Sequence, residues 1–146
     1  MSLTVGPPAS NTREALQQQA VSAINEAARI NPTSILQLLN TGIQRLATAG
    51  SDKASTDQIL RTFEEVLKQK PNNIIALIGK ARVHFTRNQF AIALRLYQKA
   101  LTLRPDMRPD PRIGIGQCFW HLKMKDDAKL AWERALELVF PPFIES

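Results

Sequence analysis

The sequence predicts an all-α chain built as an array of helical hairpins, about three of them. Three observations predict it. Similar segments return at a fixed step: FEEVLKQKP (63–71), YQKALTLRP (97–105) and WERALELVF (132–140) set Phe63, Tyr97 and Trp132 34 and then 35 residues apart. β-branched alternation, the mark of half-buried strands, is absent, and Ala, Leu, Gln, Glu, Lys and Arg fill the chain from Arg13 onward. Pro and Gly fall at intervals that suit helix ends. A period of this length marks stacked hairpins, each too small to bury its apolar face without a neighbour.

Residues 1–12, MSLTVGPPASNT, are small, polar and Pro/Gly-containing, and read as a disordered leader. The array is expected over 13–139, with helices near 13–30, 33–49, 54–69, 73–87, 90–103, 111–123 and 126–139. A faint copy of the period, AARINP at 27–32, makes the first helix the second half of an earlier hairpin. Residues 140–146 read as a C-terminal tail at a truncation point. A solenoid normally ends in a polar cap, yet Val139, Phe140, Phe143 and Ile144 are apolar; they are expected to meet a further repeat, another copy of the chain or a partner.

The pattern within each period follows from helix packing. Two helices of one hairpin approach closely only where both carry small residues at the crossing. Ala81 and Ala93 supply them in one hairpin, Gly116 and Ala128 in the next. Large residues fill the space on either side: Phe85, Phe90 and Tyr97, then Phe119, Leu122 and Trp132. Ala100 and Ala135 admit the following helix, and Pro105 stops its predecessor. Ala47, Ile59, Phe63, Val66 and Pro71 form a less regular copy. This is the tetratricopeptide-repeat (TPR) pattern.

Composition limits the function classes. A chain of 146 residues fits one domain, and one of that size buries about 68–70% of its unfolded surface. The single Cys118 excludes an intramolecular disulfide and a multi-cysteine zinc site, which favours a reducing compartment. The N-terminus lacks the basic start and long apolar core of a secretion signal, and no apolar run reaches the eighteen or so residues of a membrane span. The formal charge is +6 and uneven: from Lys68 to Arg112 ten Lys/Arg face only Asp106 and Asp110. Such a bias steers an acidic partner, whether nucleic acid, peptide or protein surface, unless it is simply a solvated face.

The stretch RIGIGQCFWH (112–121) contains the shortest motifs that resemble chemistry. A dinucleotide fingerprint needs a preceding strand and a third glycine, but RPDMRPDP precedes it and Phe119 stands in the glycine's place. Gly116 is therefore read as interhelical packing, with Gly114 either opening space for a partner or admitting a helix. Cys118 and His121 lie three apart on one helix, with no orienting group or oxyanion site beside them, so Cys118 reads as a buried structural thiol. His84 and His121 are the only histidines, and no carboxylates join them at metal-ligand spacing. No cofactor, metal or catalytic residue is expected. Asp126 and Asp127 open a helix, where carboxylates offset free N–H groups and the dipole. RPDMRPDPR (104–112) reads as an inter-repeat turn one residue longer than usual.

Three segments, PNNIIALIGKA (71–81), GIGQCF (114–119) and WERALEL (132–138), resemble one family: the large TPR scaffold subunit of the PAF complex, which associates with RNA polymerase II during elongation. The resemblance runs from about Ala27 to Leu138. It implies a nuclear, non-enzymatic scaffold that holds other PAF subunits and links the polymerase to co-transcriptional histone modification. Two positions depart from the general TPR pattern: Lys80 and Arg112 stand where large apolar residues are usual, and are expected either to rotate their helices or to bring a basic group into the groove.

TPR arrays bind peptides along the concave face lined by the first helix of each hairpin. Inward spacing selects Gln44, Arg45 and Thr48; Ile75, Ile78, Arg82 and Thr86; and Ile113, Gln117, Trp120 and His121 as partner-binding residues. The mixture suits an amphipathic partner with some acidic groups, with Trp120 as the leading anchor. Two rivals remain: a cochaperone-type adaptor, whose Lys/Asn carboxylate clamp is replaced here by Ile78, Arg82, Ile113 and Gln117, and direct nucleic-acid binding by the basic region 68–112, which predicts steep salt dependence.

Overall fold

The computed structural model describes residues 9–29 and 32–141, which form seven helices: α1 (Ala9–Arg29), α2 (Pro32–Thr48), α3 (Lys53–Gln69), α4 (Ile74–Thr86), α5 (Phe90–Leu103), α6 (Pro111–His121) and α7 (Lys125–Val139). Among the described residues there is no strand, and the fold is an all-α tetratricopeptide array. Each helix lies within a few residues of its expected span. The chain divides into two compact units, Met1–Leu36 and Gln37–Ser146. In the first, α1 begins at Ala9, so residues 9–12, expected in the leader, are helical; Pro7-Pro8 immediately precede them, and proline favours the entry to a helix over its interior. The leader residues 1–8, and Phe143 and Ile144 of the expected tail, lie outside the described residues.

The helices pair as α2–α3, α4–α5 and α6–α7, the first pair through an open link and the other two through tight turns. Helices following an open link are capped by side chains. Asp52 Oδ2 accepts from Ser55 N at 2.9 Å at the start of α3, and Asn73 Oδ1 accepts from Ala76 N at 3.0 Å at α4. At α6, Asp110 Oδ1 accepts from Arg112 N at 2.9 Å and Pro111 takes the first turn. Helices following a tight hairpin have no side-chain cap: α5 starts from Gln89 and α7 from Met124. There the backbone closes the turn, Gln89 N to His84 O and Met124 N to Phe119 O, both 2.8 Å. Each turn carries one residue in the left-handed region, Asn88 (φ 61) and Lys123 (φ 67). Asp126 and Asp127 fall in the first turn of α7 and favour its dipole, but Met124 is the cap residue, which corrects the expectation that they cap it.

The second helices of the hairpins also share one ending. Lys70, Arg104 and Phe140 leave the helix extended at ψ 86, 82 and 77, each donating its N–H four residues back, to Val66, Ala100 and Leu136. Proline follows each of them, at 71, 105 and 141, and disfavours helical backbone in the residue before it.

The aromatics of α3 and α5 are wedges between two first helices, and that of α7 packs on one. A Cβ on Gly42 would lie 2.8 Å from the Phe63 ring, and one on Gly79 would lie 2.4 Å from it. A Cβ on Gly114 would meet Tyr97 at 2.7 Å, and one on Gly116 would meet Trp132 at 2.2 Å. Ala81, Ala93, Tyr97, Ile115 and Cys118 form the central cluster, with Ala100, Ala128 and Ala135 also buried. Phe119 is half-buried against that cluster. Ala47 is the exception: it is exposed, and Gly42, five residues earlier, makes the contact with Phe63. Adjacent hairpins are pinned by Arg87, from the α4–α5 turn, which pairs with Asp57 of α3 and donates Nε to Thr56 Oγ1 at 2.9 Å.

Candidate functional site

The first helices of the three hairpins, together with the α5–α6 link, line a groove of about 670 Å³. α2 contributes Ile43, Leu46 and Ala47; α4 contributes Ile75, Ile78, Gly79 and Arg82; α6 contributes Ile113, Gly114 and Gln117. Phe63 and Tyr97 close it from the second helices, and Met107 to Pro111 form one rim. The glycine contacts explain why the groove forms here. With no side chain at Gly79 or Gly114, the aromatic behind each helix packs directly on its backbone, and the helices draw together around an apolar lining.

Of the residues that inward spacing selects, the structure brings Ile75, Ile78, Arg82, Ile113 and Gln117 into this groove and places the others elsewhere. Arg45 instead reaches across its hairpin to Thr62 Oγ1 at 3.5 Å. Thr48 and Thr86 turn their hydroxyls back to the carbonyls of Gln44 and Arg82, both at 2.9 Å. Gln44, like Thr48, is exposed and does not line the groove. His121 stacks on Phe90 at 4.3 Å with rings nearly parallel, and meets the edge of Phe85. Trp120, 46% exposed, lies 5.9 Å from Trp132 with the Lys125 ammonium 5.1 Å from its ring centre. The groove-facing expectation for Trp120 and His121 is thereby corrected: they share the face of α6 that carries Ile113 and Gly114 but stand two turns further along the helix, past the end of the groove lining. Inward spacing missed the inter-repeat link, Ile43, Leu46 and Ala47 of α2, and the glycines at 79 and 114. The recurrence of Gly79 at Gly114, one 35-residue step on, was the signal for the two glycines.

The groove's polar groups are few. Asp110 is 4% exposed and already engaged: Arg112 Nη1 donates to both its oxygens at 3.2 Å, and Arg108 lies at 3.8 Å. Arg112 also donates to Pro105 O at 3.1 Å, and Lys80 pairs with Glu64 at 3.5 Å, so neither brings a free charge into the groove, which removes the second of the two expected alternatives. Arg82, Gln117 and the Tyr97 phenol remain as polar contacts, and burial pushes the Tyr97 hydroxyl up to about 12, with Arg82 opposing the shift. Tyr97 is therefore a neutral donor at physiological pH. Beneath it Cys118 is fully buried, and burial raises its thiol to about 11, which keeps it protonated and unreactive. Among the described residues no group of His, Cys, Asp and Glu is placed to hold a metal ion.

Half of the basic residues in the 68–112 region have a carboxylate partner, with Arg108 and Arg112 sharing Asp110. Of the ten Lys/Arg between 68 and 112, Lys80, Arg87, Arg104, Arg108 and Arg112 form ion pairs in the structure. Among the described residues no helix is long and apolar enough to cross a membrane.

No protein-family model matches the chain. Individual relatives do. Tetratricopeptide repeat protein 1 of Schizosaccharomyces pombe is 42% identical over 115 residues, 79% of this chain and 11% of the relative. The protein CTR9 homolog of Arabidopsis thaliana is 35% identical over 125 residues, 84% of this chain and 11% of the relative. The RNA polymerase-associated protein CTR9 of Saccharomyces cerevisiae is 31% identical over 133 residues, 87% of this chain. Over most of its length the chain is a homologue of the CTR9 proteins. It spans about a tenth of their length, 11% and 12% of the two CTR9 proteins. The fold agrees with that homology: the first relative is a tetratricopeptide protein by name, and the chain repeats the corresponding hairpin. None of these three relatives carries the name of an enzyme.

Proposed function

We propose that the chain is a non-enzymatic protein-interaction segment of a nuclear RNA polymerase II-associated elongation assembly, the PAF complex, and that its groove seats a segment of another subunit. The observation that carries the reading is the alignment with the polymerase-associated yeast CTR9 protein over 87% of the chain. The groove supports it in kind. An apolar channel floored by first helices, with Arg82, Gln117 and a neutral phenol inside and Arg108 on the rim, suits an amphipathic peptide carrying large apolar side chains and a carboxylate toward Arg82. Through such a segment the assembly connects the polymerase to co-transcriptional histone modification.

The test is a pull-down of tagged chain from nuclear extract at moderate and high salt, read by mass spectrometry, beside Ile75→Glu/Ile113→Glu. Both isoleucines are half exposed in the groove, so their replacement leaves the fold in place. PAF subunits are expected to resist salt and to be lost with the double variant. Their absence from the wild-type eluate would refute the reading, and recovery only at low salt of nucleic acid or acidic proteins would transfer the function to the unpaired basic residues.

A further inference from the structure

Two rows of side chains cross the first helices at one helical register. Ile43, Ile78 and Ile113 stand 35 residues apart, one on each of α2, α4 and α6, and all three line the groove. One turn further along each helix stand Ala47, Arg82 and Gln117, with the same step and also in the lining. The first row is aliphatic throughout, and the second runs small, cationic, amide. Ile43 and Ile113 are 47% and 46% exposed, whereas Ile78 packs partly against the central cluster, so the first row is anchored at its middle and exposed at both ends. Its rotation is fixed at two rungs, because Gly79 and Gly114, the residues after Ile78 and Ile113, rest on the Phe63 and Tyr97 rings.

Neighbouring helices pack with their axes about 8–10 Å apart, which sets the step from one rung to the next. An α-helix laid across them advances about 10.5 Å in seven residues and drifts by only about 20°, so residues seven apart meet successive isoleucines. A polyproline helix advances about 9.3 Å in three residues and fits the step as well, but two features count against it. Grooves for such segments are lined by aromatics, and this row is isoleucine. An extended segment also brings unpaired backbone N–H and C=O groups against a lining with few polar groups: Arg82, Gln117 and the Tyr97 phenol, with Arg108 and Asp110 paired at the rim. An α-helix arrives with its backbone bonds already made. Charge completes the fit: among the described residues no carboxylate pairs with Arg82, the middle member of the second row. We propose that the groove is read by an amphipathic α-helix lying across α2, α4 and α6, with large apolar side chains at seven-residue steps on Ile43, Ile78 and Ile113 and an acidic side chain beside the central one, on Arg82. This gives the form and spacing of the segment that the proposed function seats in the groove, and so rests on that reading.

The probe is a synthetic, end-capped, fluorescein-labelled peptide of about 22 residues, alanine and glutamine except for three leucines seven apart and a glutamate four residues from the central leucine. Its binding to the whole 146-residue chain is followed by fluorescence anisotropy. Setting the leucines eight apart turns each by about 80° off the stripe and is expected to weaken binding by about tenfold or more. A leucine–proline peptide with its leucines at three-residue steps is expected to bind more weakly than the seven-step helix. Arg82→Glu is expected to lose about tenfold toward the glutamate peptide and to regain it when lysine replaces that glutamate, a rescue that a damaged fold does not give. No binding of the seven-step peptide, equal affinity at the two spacings, a preference for the proline peptide, or no rescue would each overturn the proposal. The pull-down separates it from the function on which it rests. If PAF subunits are recovered, and the proline peptide displaces them while the seven-step helix does not, the helix is refuted and the function stands. If the seven-step helix binds in register while no PAF subunit is recovered, the function falls and the helical occupant stands.

Discussion

Individual glycines decide more of this structure than its charged residues do. Glycine inside a helix is ordinarily a defect, and alanine in its place is worth about 1 kcal/mol. At Gly79 the sign reverses, because the added methyl would meet three atoms of the Phe63 ring within 2.6 Å, and that ring is itself fully buried. Gly79→Ala is therefore expected to destabilise the chain by about 1–3 kcal/mol in urea unfolding, a cost of overpacking; a stabilised variant would show that the ring has room to retreat. Asp110 is the polar counterpart. Its carboxylate caps α6 and holds Arg112, and both roles follow from one buried side chain in a link that looked basic in sequence. Cap and proline were legible there, whereas the pairing of Arg108 and Arg112 with Asp110 depended on how the link folds back.

Turns and ends set the elements. The left-handed residue of each tight hairpin is Asn88 or Lys123, and asparagine tolerates that region far better than lysine. Lys123→Gly is expected to raise stability by about 1 kcal/mol, measured by chemical denaturation, while Asn88→Gly changes it little; equal gains at both would mean that the turn does not impose the conformation. Helix existence and order were readable because Pro and Gly mark the ends and because apolar residues recur with the period of a hairpin. The face each side chain turns to was less readable. Ala47 occupies a position that spacing assigns to a helix crossing, yet Gly42 admits Phe63 instead, since a ring needs the absence of any side chain where it touches backbone. Position along the helix, two turns beyond Ile113 and Gly114, takes Trp120 and His121 off the groove, to Trp132 and Phe90 respectively.

For the whole molecule, the buried titratable groups of the second unit set the alkaline limit of stability. Cys118 moves from 9.0 to about 11 and Tyr97 from 10.0 to about 12, both chiefly through burial. A raised folded value means that the folded state keeps its proton while the unfolded state releases it. The associated stability is thus complete below about pH 9 and is lost as pH rises toward the folded values. Urea midpoints are expected to fall between about pH 8 and about pH 10.5, and to fall less in Cys118→Ala and Tyr97→Phe once each is compared with its own value at the lower pH. An unchanged slope in both variants would assign the loss to other groups. By itself the sequence determined the all-α class, the number and order of the helices and the family, because period, caps and helix-stopping prolines act over short distances along the chain. Only the tertiary structure decided which five of the expected contact residues line one groove and which arginines are already paired. Those depend on how far along its helix each residue stands and on how each helix is rotated about its axis, which is set where an aromatic ring meets a glycine on a different helix.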